Sequence, residues 1–324
     1  MGRRSRERRE RRAWIVPWVM PLLRVLAERI GKADARRGYR LAVYLGHLFQ
    51  WLGVTRKIVR RNVELACHGM PPPDVLRRFE ARYYRHMALL IVEFLRQPYV
   101  RRQDLPRVFL PDGLAEMLEL YERGEGVIFV AGHAGVWEMA GHVAGLVGID
   151  LLSVAKLSGH PLIDGWTCGI REAGGQTIRD VRGSLWTMKK TLDRKQAVGI
   201  NVDQEARQSR VFAPFFGIPA ATSNAPALLH LKTKAPIAVV TAHRVGVFRY
   251  RLQVCDVIRH AKTKDKQGDL VAITTRINAA MEQAMRAYPE QWLWSHRRWR
   301  RRPDDEAEPF ARVDDTAPLE LEPA

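Results

Sequence analysis

Beyond Pro106, the chain alternates between short apolar runs and longer segments in which apolar residues recur every three or four positions. Short apolar runs predict buried strands, and the periodic segments predict helices. This alternation predicts an α/β fold with a mostly parallel sheet flanked by helices. VFRYRLQVCDVI alternates polar and apolar residues, which is typical of an edge or antiparallel strand. The other predicted strands are GVIFVAG, IDLLSVAK, QTIRD, QAVGINVD and APIAVVTAHR, and the predicted helices are 137–147, 160–173, 184–194, 223–233 and 269–287.

Residues 36–105 show helical spacing that no strand-like run interrupts. DVLRRFEARYYRHMALLIVEFLR is amphipathic, whereas GYRLAVYLGHLFQWLGV is apolar on almost every side. A helix of the second kind must be covered, so residues 41–54 either pack in the core or extend a membrane-facing surface. We therefore predict an N-terminal helical part over 36–105 and an α/β domain over 106–303.

The first 35 residues combine a basic leader with an apolar run. Seven arginines precede residue 13, and two prolines and Arg24 interrupt the run that follows. The run is shorter than the roughly 20 apolar residues of a membrane-spanning helix, and no signal-peptide cleavage pattern follows it. Arginine and tryptophan beside a short apolar helix are typical of an element that lies on an anionic leaflet. Residues 1–35 are predicted to be such an interfacial element, with a leader before a core helix as the alternative.

The net charge of +18 favours anionic partners such as acidic lipid headgroups, nucleic acid or an acidic carrier protein. Cys67, Cys168 and Cys255 are far apart, which argues against a disulfide framework or a zinc site and fits a reducing cytoplasmic compartment. Residues 304–324 are rich in acidic residues and proline. That composition predicts a disordered acidic tail.

A histidine follows the first predicted strand of the α/β domain. His133 comes directly after GVIFVAG, and Glu138 lies five residues later, near the start of a predicted helix. The carboxyl ends of parallel strands form the usual ligand crevice, and Gly132 and Gly135 allow a tight turn there. The spacing lets the Glu138 carboxylate fold back toward the imidazole. It would then stabilise the imidazolium that forms when His133 removes a proton.

Both residues also have a plain structural interpretation. A lone histidine beside a sheet is usually a packing residue, and a carboxylate such as Glu138 stabilises a helix start. His142 follows Glu138 by four positions, but the pattern is not His-Glu-x-x-His, so we predict no metal site.

Four ordered blocks resemble the bacterial lipid A late acyltransferases, the lauroyl and myristoyl transferases within the lysophospholipid acyltransferase superfamily. HAGVWE resembles the family's His-x4-Asp/Glu motif, and RKIVRRNVELA resembles its N-terminal Arg-Asn-Leu signature. NVDQEARQSRVFAPFFGIPAATSNAPALLHLKTKAPI resembles its Asp-Gln and Phe-Phe-Gly block, and PEQWLWSHRRWRRRP its closing segment. The resemblance covers roughly residues 13–303. It implies a glycerolipid-acyltransferase-like sheet with an N-terminal helical, membrane-associated part.

The resemblance implies transfer of a fatty acyl group from acyl carrier protein, or less often coenzyme A, to a hydroxyl of a lipid A precursor. It places the enzyme at the cytoplasmic face of the bacterial inner membrane. His133 would be the general base and Glu138 its orienting partner. Arg171 would hold the acceptor's phosphate or the oxyanion, and Asp203 would bind substrate at a strand end. No metal or organic cofactor is implied, since the acyl donor is a co-substrate. Donors near the Gly132 and Gly135 turn are candidates for the oxyanion site.

Two alternatives stay open. In the first, the acceptor is a lysophospholipid or another glycolipid. In the second, the protein is not an enzyme and binds membranes or nucleic acid, as the interleaved arginines and tryptophans of WLWSHRRWRR allow. The second alternative does not explain His133 with Glu138 at a strand end, so we expect no nucleic-acid partner. The clusters HRRWRRR and TRKIVRR are predicted to dock an acidic acyl carrier protein or to face lipid phosphates.

Overall fold

The computed structural model describes residues 15–303 and 312–321. The strands are β1 (Val127–Ala131), β2 (Leu151–Ala155), β3 (Thr177–Asp180), β4 (Ala197–Asn201), β5 (Arg210–Phe215), β6 (Ile218–Ser223), β7 (Ile237–Gly246) and β8 (Arg249–Ile258). Six of them form one sheet in the order β3-β2-β4-β1-β7-β8. The first five are parallel and β8 runs antiparallel to β7. The predicted α/β fold with a mostly parallel sheet flanked by helices is therefore confirmed.

Helices surround this sheet and also form most of the described chain before it, including α2 (Ala35–Leu52). A side-chain cap begins α2, since Asp34 accepts a hydrogen bond from the Arg37 backbone N–H at 2.9 Å, and Gly53 ends it with a φ of 63°. The helices are α1 (Val16–Lys32), α2 (Ala35–Leu52), α3 (Arg56–Ala66), α4 (Pro73–Arg96), α5 (Leu105–Val108), α6 (Asp112–Glu122), α7 (Trp137–Leu146), α8 (Pro161–Glu172), α9 (Leu185–Asp193), α10 (Ala225–Thr233) and α11 (Lys266–Ala287).

Strand β1 lies in the middle of the core, with apolar side chains on both faces. Val127 and Phe129 pack into the cluster that contains α7, whereas Ile128 and Val130 pack into the cluster that contains α9, α10 and α11. A parallel strand covered on both sides is apolar throughout, which is why the run VIFV predicts it so clearly. Each fully buried side chain of this kind contributes about 2 kcal/mol. The end of β1 is therefore a rigid support for the residues that follow it.

The hairpin of β5 and β6 has no counterpart in the sequence prediction. Its two strands pair from Arg210 with Ser223 to Phe215 with Ile218. Phe216 and Gly217 form its turn with φ values of 50° and 72°, as a tight hairpin turn requires. Prolines within both strands hide the alternating pattern that would otherwise predict them.

The small residues of α2 pack against α4, while some of its large residues face outward. A Cβ added to Gly46 would lie 2.7 Å from the Arg85 Cα, so the two backbones touch at that point. Tyr44 and Trp51 on the opposite side are 74% and 78% exposed. The protein therefore covers this helix on one side and leaves its other side open, so residues 41–54 are not buried in the core all round. Across 15–303 and 312–321, no helix combines the length and apolar character needed to cross a bilayer.

The prediction of a disordered acidic tail is wrong for residues 312–321. Leu319 and Leu321 are buried, with 3% and 4% of their surface exposed. The Leu319 N–H donates to the Ala66 carbonyl at 2.9 Å, and Arg286 donates to the Pro318 carbonyl at 2.8 Å. Two leucines anchor the segment although its overall composition is acidic. Residues 304–311 and 322–324 of the predicted tail, and residues 1–14 of the predicted basic leader, lie outside the described residues.

Candidate active site

His133 lies in a tight loop between β1 and α7. Gly135 has a φ of 61°, and a Cβ at that position would lie 1.9 Å from the Ala242 carbonyl oxygen. The Gly135 N–H donates to the Gln291 carbonyl at 2.7 Å, and the Val136 N–H donates to Ala242 at 2.6 Å. Only glycine satisfies both the backbone angle and the close approach. The loop is thereby held against β7, with His133 at the carboxyl edge of the sheet.

Asp203 is the carboxylate that holds the imidazole. It comes two residues after the end of β4, the strand that pairs in parallel with β1. Its Oδ1 lies 2.6 Å from His133 Nδ1, and its Oδ2 accepts the His133 backbone N–H at 2.7 Å. The Trp292 indole N–H donates to the same Oδ2 at 2.7 Å. Since an ionised carboxylate only accepts, Nδ1 carries the proton and Nε2 is left as the basic nitrogen.

Charge and burial set the protonation of this pair. Burial by itself lowers the pKa of His133, but the Asp203 carboxylate outweighs it and raises that pKa above the ordinary value. Burial likewise opposes ionisation of Asp203, yet the imidazole and the Trp292 N–H keep the pKa of that carboxyl low. Asp203 is 2% exposed and the His133 side chain is 20% exposed. A reactant can therefore reach the imidazole, while the carboxylate behind it is shielded from solvent.

Glu138 does not contact the imidazole, contrary to the sequence prediction. Its two carboxylate oxygens accept hydrogen bonds from Arg171 Nε and Nη2 at 2.8 Å and 2.6 Å. Within the described part of the chain, no hydrogen bond joins Glu138 to His133. The rigid fork of a guanidinium matches both carboxylate oxygens at once, so Glu138 pairs with the arginine on α8 rather than with the histidine that is closer in sequence. Glu138 still acts on His133 through its charge, which helps to raise the pKa of the imidazole.

Arg171 reaches the same region from α8. Its guanidinium lies over the Phe94 ring at 5.4 Å from the centroid, and the side chain is 23% exposed. The hydrogen bonds to Glu138 use Nε and Nη2 and raise the pKa of Arg171 further. One edge of the guanidinium is thus committed to a protein carboxylate, and the Nη1 group is the part available to an anion.

Three backbone N–H groups of the turn predicted to stabilise an oxyanion are used within the protein. Those of His133, Gly135 and Val136 donate to Asp203, Gln291 and Ala242 respectively. The side of the imidazole that faces solvent meets two amides instead. Gln204 Nε2 lies 3.3 Å and Asn201 Nδ2 3.5 Å from His133 Nε2.

The sequence prediction misses these two amides. Gln204 is the glutamine of the family-like Asp-Gln pair, whereas the only signal for Asn201 is its position at the end of a strand adjacent to β1.

The structure also shows where the basic segment HRRWRRR and His142 lie. Arg298 and Trp299, at the centre of HRRWRRR, are 0% and 2% exposed, and Arg298 donates to the Ala221 carbonyl and to Thr222 Oγ1. That segment is therefore not a continuous docking surface, because its middle fills the core. His142 is buried as well, and its Nε2 pairs with the Val100 carbonyl at 3.0 Å, which fits a packing role.

An imidazole held by a buried carboxylate, with its second nitrogen exposed at the edge of a parallel sheet, is typical of enzymes that activate a hydroxyl for group transfer. Residues 2–301 match the family model described as bacterial lipid A biosynthesis acyltransferase. The protein belongs to this family and is an acyltransferase, so the non-enzymatic alternative is set aside.

Known relatives carry related names at modest identity. The chain is 25% identical over 257 residues to the lipid A biosynthesis palmitoleoyltransferase of Escherichia coli (strain K12), covering 77% of this chain and 80% of that protein. It is 23% identical over 278 residues to the lipid A biosynthesis acyltransferase of Haemophilus influenzae, covering 82% and 86%. It is 22% identical over 270 residues to the lipid A biosynthesis lauroyltransferase of Escherichia coli, again covering 82% and 86%.

Proposed function

We propose that the protein transfers a fatty acyl group from an acyl thioester to a hydroxyl of a lipid A precursor, with His133 as the general base. The observation that carries the proposal is the 2.6 Å contact between His133 Nδ1 and Asp203, which leaves Nε2 as the exposed basic nitrogen. Family membership and the names of the relatives support the acyl transfer and the lipid A acceptor.

In this mechanism, His133 Nε2 removes the proton of the acceptor hydroxyl as its oxygen attacks the thioester carbonyl. The new C–O bond forms and the C–S bond then breaks, and the departing thiolate takes the proton from the imidazolium. Asp203 keeps the imidazole in the required tautomer and stabilises the imidazolium by its charge. It takes the orienting role that the sequence assigns to Glu138. Because Asp203 is buried, water screens its charge little, and the carboxylate acts strongly on the imidazolium.

The pair of Glu138 and Arg171 would shape the acceptor site. The fixed carboxylate holds the guanidinium in one orientation, and Nη1 remains free to bind a phosphate of the acceptor as a charge-assisted donor. Arg171 thus keeps its proposed role as a substrate-binding residue. Glu138 is a positioning residue for Arg171 rather than for His133.

The acyl donor is proposed to be acyl carrier protein, with acyl-coenzyme A as the second choice; either acts as a co-substrate, and no organic cofactor takes part. An acidic carrier protein needs a basic docking surface. The segment TRKIVRR remains suited to this role, because Lys57 and Arg61 are exposed on α3. The ion pair of Arg60 with Glu80 holds the same helix in place.

The acceptor is a membrane lipid, and the outer surface of α1 and α2 is proposed to rest on the anionic cytoplasmic leaflet of the inner membrane. Trp18, Leu22 and Trp51 are 80%, 62% and 78% exposed. Arg24 and Arg29 are exposed on α1 as well. Large apolar side chains with arginines beside them suit the boundary between headgroups and acyl chains. Helix α1 also packs against α8, which carries Arg171, so this contact would hold the site near the lipid.

A matched pair of variants tests the proposed chemistry. His133→Asn removes the base and is expected to abolish acyl transfer to a purified lipid A precursor, while binding to anionic vesicles stays intact. His68→Asn changes an exposed histidine and serves as the control. The change of Trp18 and Trp51 to serine should do the reverse, weakening vesicle binding and sparing turnover in detergent. Unchanged turnover in His133→Asn would refute the mechanism.

The acceptor itself is tested by lipid mass spectrometry of cells with and without the gene. Loss of one acyl chain from lipid A species supports the proposal. Loss from a phospholipid or another glycolipid, with lipid A unchanged, replaces the acceptor and leaves the chemistry in place.

A further inference from the structure

Two amide side chains lie at the proton-accepting nitrogen of His133. Gln204 Nε2 is 3.3 Å and Asn201 Nδ2 is 3.5 Å from His133 Nε2. Because the Nδ1 proton is directed at Asp203, Nε2 presents its lone pair to these amides. The acceptor hydroxyl must approach the same lone pair to within about 2.6–3.2 Å before it can give up its proton. The two amides therefore border the place where the bond to the acyl group forms.

Acyl transfer needs donors for the negative charge on the carbonyl oxygen, and several candidates near His133 already have partners. The backbone N–H groups of His133, Gly135 and Val136 donate within the protein. Arg171 uses Nε and Nη2 for Glu138, and its Nη1 is proposed above to bind the phosphate of the acceptor. The donors that the structure places beside Nε2 are the two side-chain amides, which carry two N–H bonds each.

Asn201 and Gln204 lie at the end of β4, the same strand end that positions Asp203. Asn201 ends β4, where it pairs with Ala131 of β1, and Gln204 follows Asp203 directly. The Val202 N–H donates to the Ala131 carbonyl at 3.1 Å, which fixes this strand end against the end of β1. Asn201 is exposed and Gln204 is partly exposed, so both can be reached by a substrate.

We propose that Gln204 and Asn201 form the oxyanion site of this acyltransferase. The proposal rests on the function proposed above. In the free enzyme the amides lie against Nε2, and the arriving acceptor hydroxyl takes their place. Their N–H groups then donate to the thioester carbonyl oxygen, at the 2.7–3.1 Å or so that stabilises an oxyanion. As the C–O bond forms, the carbonyl π electrons move onto that oxygen. They return when the C–S bond breaks and the thiolate leaves.

Steady-state acyl transfer by Gln204→Leu, Asn201→Leu and the double variant tests the proposal, with the full chain, the same thioester donor and the same lipid acceptor as the wild type. Loss of one oxyanion donor lowers kcat by about 10²-fold to 10³-fold. We expect a loss of this size for Gln204→Leu, a larger loss for the double variant, and KM values within a few-fold of the wild type. Gln208→Leu changes an exposed glutamine four residues away and is expected to leave kcat unchanged.

The dependence of kcat on pH, which reports the pKa of the imidazole in the enzyme–substrate complex after the hydroxyl has displaced the amides, separates this role from a structural one. An oxyanion donor lowers the rate at every pH and leaves the kinetic pKa of His133 in place, whereas a residue that only positions the imidazole moves that pKa. Gln204→Glu keeps the shape, loses the donor and adds a negative charge, so its kcat should fall at least as far as that of Gln204→Leu; the pKa criterion applies to the leucine variants alone. A double variant that retains more than a tenth of wild-type kcat, or a loss that comes with a displaced kinetic pKa, overturns the proposal. A wild type without acyl transfer would instead overturn the proposed function, and this inference with it.

Discussion

Asp203→Asn tests the link between the buried carboxylate and the base most directly. Oδ2 of Asp203 accepts two N–H groups, from the His133 backbone and from Trp292, and Oδ1 accepts the Nδ1 proton. An asparagine has a single side-chain oxygen, and the two N–H donors at the Oδ2 position require that oxygen to lie there. The amide NH2 must then face Nδ1, which turns Nδ1 into an acceptor and moves the imidazole proton to Nε2.

The basic nitrogen is thereby lost although the shape of the site is kept. In enzymes where the equivalent carboxylate is replaced by its amide, kcat falls by about 10⁴-fold. That factor corresponds to roughly 5 kcal/mol in the activation free energy. We expect a loss of this order for Asp203→Asn in steady-state acyl transfer, with KM little changed. Asp315→Asn, at an exposed aspartate in the C-terminal segment, is the control.

The dependence of the rate on pH adds a second readout. The neutral imidazole is the active form, so kcat/KM falls as the pH drops through the kinetic pKa of His133, which Asp203 raises. Without the carboxylate charge, the residual activity should show a lower kinetic pKa. An Asp203→Asn enzyme with more than a tenth of the wild-type rate and an unmoved pH profile would refute the reasoning, because it would mean that the carboxylate neither selects the tautomer nor stabilises the imidazolium.

Three further changes have defined outcomes. Arg171→Lys keeps the charge but loses the fork that binds both Glu138 oxygens, so KM for the acceptor should rise about tenfold with a smaller change in kcat; an unchanged KM argues against a role in acceptor binding. Burial raises the pKa of Glu282 from 4.5 to about 7, so stability is lost as the pH rises between these two values and stays lost above them. Glu282→Gln should raise the melting temperature at pH 8 and not at pH 5, and equal effects at both would contradict this. Leu319→Ala should lower the free energy of unfolding by about 2 kcal/mol in urea titrations, and no change would mean that the C-terminal segment does not stabilise the domain.

The sheet and the position of His133 are predictable from sequence because both depend on local pattern. Strand β1 is an unbroken apolar run, and the end of such a run marks the edge where ligands bind. The β5 and β6 hairpin escapes prediction because prolines interrupt its alternation. The anchoring of the C-terminal segment depends on two leucines within an acidic composition, which a composition average conceals.

The pairing of the charged groups is not predictable from spacing. Glu138 is five residues from His133 and its natural partner by proximity in the chain, whereas Asp203 is seventy residues away. Asp203 becomes the partner because the sheet order places β4 beside β1. The same nonlocal packing brings Arg171 of α8 to Glu138. Resemblance to known acyltransferases singles out His133, Glu138, Arg171 and Asp203. Only the fold shows which carboxylate pairs with the imidazole and which with the guanidinium.

Gly135 lies beside His133, the proposed general base, but packing alone explains why a glycine is required there. Its missing Cβ is what lets the loop cross the Ala242 carbonyl, and that requirement exists whether or not the imidazole beside it functions. A descendant that had lost its base would still need this glycine to fold. A glycine at this position is therefore a requirement of the architecture, and efforts to redirect the enzyme to new acceptors should leave it untouched and vary exposed side chains around His133 instead.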